Sequence, residues 1–220
     1  MVLTRKDILD KIKKGELEVD PMVDGFQLQP HAVDLRLGCE FYIPKEWRMS
    51  NKGREVITID PFDEYEERNF EEVVLQFGQY FELLPGEFII GKTLEELHIK
   101  SDNVMAILFP RSSINRRGLA VDLSGIIDTG YRGQLMIPIM NNTSKQVIRI
   151  YPGERICQVL FQMLTAKLSG PEVLMHGLNS AKYSGSRKGA VGGKKDKKEE
   201  IDLIKSGKID ELKRRFGVAL

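Results

Sequence analysis

Hydrophobic and polar positions along this chain alternate with a period of two, or bunch into brief apolar runs, through most of its length. The clearest segments are Val33 to Leu37, Glu55 to Ile59, Tyr80 to Leu84, Val104 to Phe109, Gln134 to Ile137, Gln146 to Ile150 and Ile156 to Leu164. Period-two alternation puts successive side chains on opposite faces of a strand, and short buried runs suit strands covered on both faces. Turn formers punctuate them at Pro85-Gly86, Asp128-Thr129-Gly130 and Pro152-Gly153. The pattern predicts a mainly β, mainly antiparallel sandwich or jelly roll with one or two small helices. One helix is predicted from Thr4 to Gly15: Thr4 can cap it, Ile8, Leu9 and Ile12 share a face, and Gly15 can end it. Toward the C-terminus the pattern changes. Residues Ser184 to Gly193 are rich in Gly, Ser and basic side chains, and Lys194 to Glu200 is a charge run, so both read as flexible. Beyond them, Ile201, Ile204, Ile209, Leu212 and Phe216 predict a short amphipathic helix or pair, interrupted at Gly207, that docks on a neighbouring surface.

Composition narrows the function classes. Among 220 residues, 33 are Lys or Arg and 32 are Asp or Glu, a formal net charge of +1. Without a basic excess to displace counterions, a general nucleic-acid binder is not expected. No apolar run approaches the roughly 20 residues of a membrane helix, and Met1 to Asp7 lacks the apolar stretch of a secretory signal, so no membrane association and a cytoplasmic protein are expected. Cys39 and Cys157 stand alone, and His31, His98 and His176 are dispersed, which signals neither a disulfide framework nor a metal site. Residues Glu46 to Phe70, with the acidic run Asp63 to Glu67, read as a surface excursion.

Four segments carry candidate chemistry. Gly86 to Thr93 spells G-x-x-x-x-G-K-T, the letters of a phosphate loop. Its variable positions include Phe88, Ile89 and Ile90, which demand burial, so it reads instead as a turn entering a buried strand. Pro110 to Gly118 places three arginines and two serines at a strand end, where guanidinium forks, hydroxyls and backbone N–H groups suit phosphate oxygens. Gly125 to Ile137 is two apolar strands around a turn that contains Asp128 and Tyr131; by residue type alone these are a turn former and a packing aromatic. Tyr151 to Phe161 is a turn entering a strand, with Gln158 as a polar group in an apolar run.

In order and spacing, these segments resemble the dUTPase and dCTP deaminase superfamily over roughly residues 1 to 193. Leu28 to Gly38, Arg111-Ser112-Ser113 with Arg116 and Gly118, and Ala181-Lys182-Tyr183 resemble the deaminase branch. Gly125 to Asp128, Tyr131-Arg132-Gly133 and Pro152 to Ile156 are closer to dUTPases. The resemblance implies a distorted jelly-roll (β-clip) sandwich in residues 1–193, followed by a charged linker and helix in 194–220. It further implies a homotrimer whose active sites are shared between subunits, a deoxypyrimidine triphosphate substrate (dUTP, or dCTP) and Mg²⁺ carried mainly on substrate phosphates.

By that resemblance Arg111, Ser112, Ser113 and Arg116 would hold phosphates, with Gln158 reaching them from a neighbouring strand. Backbone groups around Met136 and Ile137 would read the pyrimidine edge, and Tyr131 would exclude a 2′-hydroxyl. Lys182, Tyr183 and Arg187 in the tail would close over the triphosphate. Asp128 would orient and deprotonate the attacking water. Deaminases of the family use a glutamate one strand-length after this aspartate, and an ungapped reading places Pro138 there. Proline cannot shuttle a proton, and Gln134 to Ser144 contains no acid. The expectation is therefore a dUTP diphosphatase forming dUMP and pyrophosphate. The alternatives are a dUTP-forming dCTP deaminase and a non-catalytic nucleotide-binding trimer.

Overall fold

A computed structural model describes residues 1–22, 24–60, 62, 69–121, 125–176, 179–180 and 196–217. Helix α1 (Arg5–Lys13) leads into β1 (Leu17–Asp20), β2 (Val33–Pro44), the pair β3 (Trp47–Ser50) and β4 (Gly53–Val56), then β5 (Phe70–Val74) and β6 (Phe81–Leu83). The central stretch is β7 (Phe88–Ile99), β8 (Val104–Pro110), the single turn α2 (Ser112–Asn115), β9 (Leu119–Val121), β10 (Gly125–Ile127) and β11 (Arg132–Asn141). After β12 (Ile148–Ile150) and β13 (Arg155–Met163) come α3 (Gly170–Val173), the short strands β14 (Met175–His176) and β15 (Asn179–Ser180), and the helices α4 (Lys198–Lys205) and α5 (Ile209–Phe216).

The expected mainly antiparallel architecture is present, and every strand pair among the described residues is antiparallel. One sheet runs β10-β8-β13-β2-β7-β11-β9, with β1 added to β7 and β5 to β2. β2 makes it a curled jelly roll rather than a flat sheet. Its first half pairs with β13, from Val33 opposite Val159 to Arg36 opposite Arg155, whereas its second half pairs with β7 and β5. The register with β7 shifts between Leu37 and Phe41, and Gly38 lies in that interval. There β2 approaches β7 so closely that a Cβ on Gly38 would stand 3.0 Å from the Lys92 carbonyl oxygen and 3.1 Å from that of Thr93. Inside the curl, Leu35, Leu37, Phe41, Leu97, Ile137, Val159 and Phe161 are fully buried. Each such side chain contributes about 1.5–3 kcal/mol relative to exposure.

Helix α1 forms as its sequence predicts, with a reciprocal capping box between Thr4 and Asp7 and with Ile8 in the core. Gly86 occupies a left-handed turn before β7, so Gly86 to Thr93 is a turn and a strand; Lys92 is buried and pairs with Glu40 at 2.9 Å. The strand expected at Glu55 to Ile59 is not observed as such. β4 ends at Val56 and pairs only with β3, and Val56 and Ile59 are exposed. Alternation there has no second layer to pack on, so nothing extends the strand. The Glu46 to Phe70 excursion is in part this hairpin, whose Arg54 guanidinium lies 4.7 Å from the Trp47 ring centroid. The tail forms the expected pair of helices, interrupted around Gly207, and α4 buries Ile201 and Leu203. Among the described residues, no helix is long and apolar enough to cross a membrane.

Candidate active site

Strand register assembles a cluster of arginine, serine and glutamine side chains at the end of β8. Gln158 on β13 lies opposite Phe109 on β8 and opposite Asp34 on β2, so the three project on one side of the sheet. Two residues past Phe109 the chain leaves β8 at Arg111, whose N–H donates to the Ile156 carbonyl, and turns into α2. Ile114 anchors α2 in the core, which leaves Ser112, Ser113 and Arg116 exposed on the turn. Gly118 closes this loop with a positive φ, and a Cβ there would collide with the Thr143 side chain.

Behind the turn lies a buried ion-pair cluster. Asp34 is 2% exposed. Its Oδ2 meets Arg111 Nε at 3.2 Å and Arg155 Nη1 at 3.1 Å, and accepts a hydrogen bond from Gln29 Nε2 at 3.3 Å. Arg111 Nη1 donates to the Arg155 carbonyl at 3.1 Å. Burial pushes the Asp34 carboxyl above its usual range, and the two guanidinium groups pull it back. One carboxylate against two arginines leaves a net positive charge beside exposed hydroxyls, which suits phosphate.

The hairpin residues occupy a second locus. Tyr131 donates its hydroxyl to the Gln134 carbonyl at 3.0 Å, and burial pushes its phenol up to about 12. Gln134 Nε2 donates to the Thr93 carbonyl at 2.9 Å. A bulge follows between Gln134 and Met136, where the Leu135 N–H donates to Thr93 Oγ1 at 2.9 Å instead of to the ladder. Met136 lies opposite Lys92 and Ile137 opposite Gly91, with Ile137 fully buried. β9 pairs only with Ile139 to Asn141, so among the described residues no strand covers the other edge of β11 from Arg132 to Pro138. That edge leaves backbone groups without a strand partner among the described residues, while the Ile137 side chain is committed to the core. Glu96, opposite Gln134, is engaged by Arg132 at 2.7 Å.

Asp128 and the arginine–serine cluster lie at opposite ends of β8. Ile127 stands opposite Ala106, so Asp128 follows near the start of that strand, whereas Arg111 follows its last residue. Six residue steps, from Met105 to Arg111 just past the end of β8, separate them by about 20 Å at the usual 3.3 Å rise. One chain therefore unites Arg111, Ser112, Ser113, Arg116 and Gln158, and separately Asp128, Tyr131, Met136 and Ile137. Lys182, Tyr183 and Arg187 lie outside the described residues. Sequence reasoning passed over Asp34 and Arg155. Asp34 falls at the polar phase of the Val33 to Leu37 alternation, which reads as a wet face; in the fold both faces of β2 are covered there.

Comparison with known proteins gives a consistent family. The description dCTP deaminase-like matches residues 2–164. A protein of Methanosphaera stadtmanae named dCTP deaminase, dUMP-forming, is 33% identical over 213 residues, covering 94% of this chain and 99% of its own length. The dCTP deaminase of Haloarcula marismortui is 35% identical over 188 residues, covering 84% of this chain and 90% of its own. The crystal structure of the dCTP deaminase from Agrobacterium tumefaciens superposes with a TM-score of 0.55 at 25% identity; the match covers 79% of this chain and 51% of that one, so this chain spans about half of that protein.

These relatives overturn the expectation of a dUTP diphosphatase. Proteins that match almost end to end are named for deaminating dCTP, and the dUMP-forming ones fit neither dUTP hydrolysis as the whole reaction nor dUTP as the end product. The expectation rested on Pro138, on the lack of an acid from Gln134 to Ser144 and on the dUTPase-like hairpin around Asp128. Pro138 is in β11 opposite Ile90 and cannot move a proton, but a proton relay is set by which groups reach the base in the assembled pocket, not by one strand position.

Proposed function

The chain belongs to the dCTP deaminase-like family, and from that premise we propose that it converts dCTP, with two waters, to dUMP, ammonia and pyrophosphate. The near end-to-end match to a dUMP-forming relative carries this reading, and the anion cluster at the end of β8 supports it. In this reading Arg111, Ser112, Ser113, Arg116 and Gln158 seat the triphosphate, and the open edge of β11 around Met136 and Ile137 reads the pyrimidine. The partly buried Tyr131 ring lies against the deoxyribose, where a 2′-hydroxyl would collide. Asp128, exposed in the hairpin turn, activates water. Hydroxyls and guanidinium groups are phosphate partners rather than ligands for a hard dication. Mg²⁺ would therefore arrive on the substrate's own phosphate oxygens and offset their charge.

The separation of about 20 Å along β8 bears on assembly. A nucleotide cannot touch Arg111 and Asp128 of one chain as these loci stand, so the reading requires a second copy to supply one of them. A homotrimer with shared sites meets that need, and exposed Phe109 and Ile126 on the adjacent strands β8 and β10 offer an apolar face for it. Lys182, Tyr183 and Arg187 complete the reading as closing residues.

The test is product analysis with Mg²⁺ and either dCTP or dUTP, measuring ammonia, pyrophosphate and the nucleotide separately. Ammonia and pyrophosphate in equal amounts with dUMP from dCTP are expected. Absence of ammonia from dCTP sinks the reading, and nucleotide binding without any product would leave only a binding module. Asp128→Asn is expected to abolish turnover while retaining nucleotide binding; unchanged turnover removes Asp128 from the mechanism.

A further inference from the structure

The Asp34 cluster goes beyond anion attraction, because an acid beside a phosphate seat opposes binding unless it does something else. Its side chain is buried and every group in contact with it is cationic or a donor: Arg155 Nη1 and Gln29 Nε2 donate to it at 3.1 and 3.3 Å, and Arg111 Nε forms an ion pair with it at 3.2 Å. Arg111 is consequently held at two of its nitrogens, Nε by Asp34 and Nη1 by the Arg155 carbonyl. Its Nη2 makes no hydrogen bond within the described residues. An arginine left to itself samples many rotamers, and ordering it costs binding free energy. A guanidinium already held at Nε and Nη1 presents its remaining nitrogen, Nη2, without that cost.

We propose that Asp34 is a positioning residue: it clamps Arg111 from beneath so that the remaining Nη2 of the guanidinium meets the triphosphate beside Ser112 and Ser113. The inference rests on the reading of this cluster as the phosphate seat. It assigns to β2, which contributes no residue to the exposed surface of the cluster, the task of setting affinity for the phosphate chain. Arg155, held by the same carboxylate and donating also to the Phe26 carbonyl at 2.8 Å, serves as the second wall of the clamp.

The experiment is a double-mutant cycle of Asp34→Asn and Arg111→Gln, with binding of inorganic tripolyphosphate, dCTP and deoxycytidine followed by calorimetry and KM and kcat followed on dCTP. Each single variant is expected to weaken tripolyphosphate and dCTP about tenfold, with deoxycytidine changed less than twofold and the loss appearing in KM. The double variant is expected to be no weaker than the worse single one, because both remove one arrangement. Additive losses, or a loss shared equally by deoxycytidine, would show a structural role and overturn the proposal. Should Asp34→Asn not fold, Arg111→Lys decides: it keeps the charge without the fork, so it is expected to lose as much tripolyphosphate affinity as Arg111→Gln, and wild-type affinity overturns the clamp. If the wild-type chain binds neither tripolyphosphate nor dCTP, the reading of the site fails and the inference with it. Binding by wild type without coupling in the cycle removes the inference alone.

Discussion

Replacing Gly38 by alanine tests the bend that turns β2 from one half of the sheet to the other. The added methyl would sit 3.0 Å from the Lys92 carbonyl oxygen, 3.1 Å from the Thr93 carbonyl oxygen and 3.3 Å from the Thr93 carbonyl carbon. All three atoms are backbone of β7, which is pinned on its other side by β11, so relief requires the strands to part by a few tenths of an ångström. Overpacking of this kind costs about 1–3 kcal/mol. Gly38 does not have a positive φ, so alanine also restricts the unfolded chain, which returns about 0.4–1 kcal/mol. The net expectation is a loss of about 1–2 kcal/mol, or a fall in Tm of several degrees at about 2–4 °C per kcal/mol. Denaturant titration and thermal unfolding measure it, with Gly25→Ala as the control. Gly25 has open space around its Cβ position and no positive φ, so that variant should match or slightly exceed the wild type. A Gly38→Ala protein as stable as Gly25→Ala would refute the close approach of β2 to β7.

Three further outcomes follow from buried groups. Burial raises the carboxyl of Glu95, which accepts from Gln27 Nε2 at 2.7 Å and from the Arg36 N–H at 2.8 Å. With the folded value above the unfolded one, the folded state binds the extra proton between them, so wild-type stability should fall as pH rises from the usual glutamate range through the folded value. Glu95→Gln should flatten unfolding free energy across that window, and an unchanged slope would count against the shift. Tyr131→Phe loses the bond to the Gln134 carbonyl and should cost about 0.5–1.5 kcal/mol in denaturant titration while keeping the preference for dCTP over CTP, whereas Tyr131→Ala should lose that preference. Cys157 is fully buried, with its thiol pushed up by burial, so a thiol reagent should modify it only in the unfolded chain; two fast equivalents in the native protein would contradict its placement.

Local chemistry in the sequence was enough to determine several parts of this molecule. Thr4 and Asp7 cap α1 wherever the helix packs. Apolar Phe88, Ile89 and Ile90 exclude a phosphate loop in favour of a strand. Arg111, Ser112 and Ser113 at the end of an apolar run mark the start of an exposed turn. These follow from propensity and burial preference, which act over a few residues. Other features depend on what arrives from far along the chain. Lys92 and Glu95 carry charged groups, yet both are buried in β7 because Glu40 and Gln27, 52 and 68 residues away, meet them. Asp34 reads as a solvated strand position until β13 and the α2 turn bring Arg155 and Arg111 over it. The reach of the site was decided in the same way: sequence order places Arg111 and Asp128 only 17 residues apart, but β8 carries them to opposite ends of a strand. Burial and charge pairing across a sheet are properties of register, and register between distant strands is fixed only when the whole chain has curled.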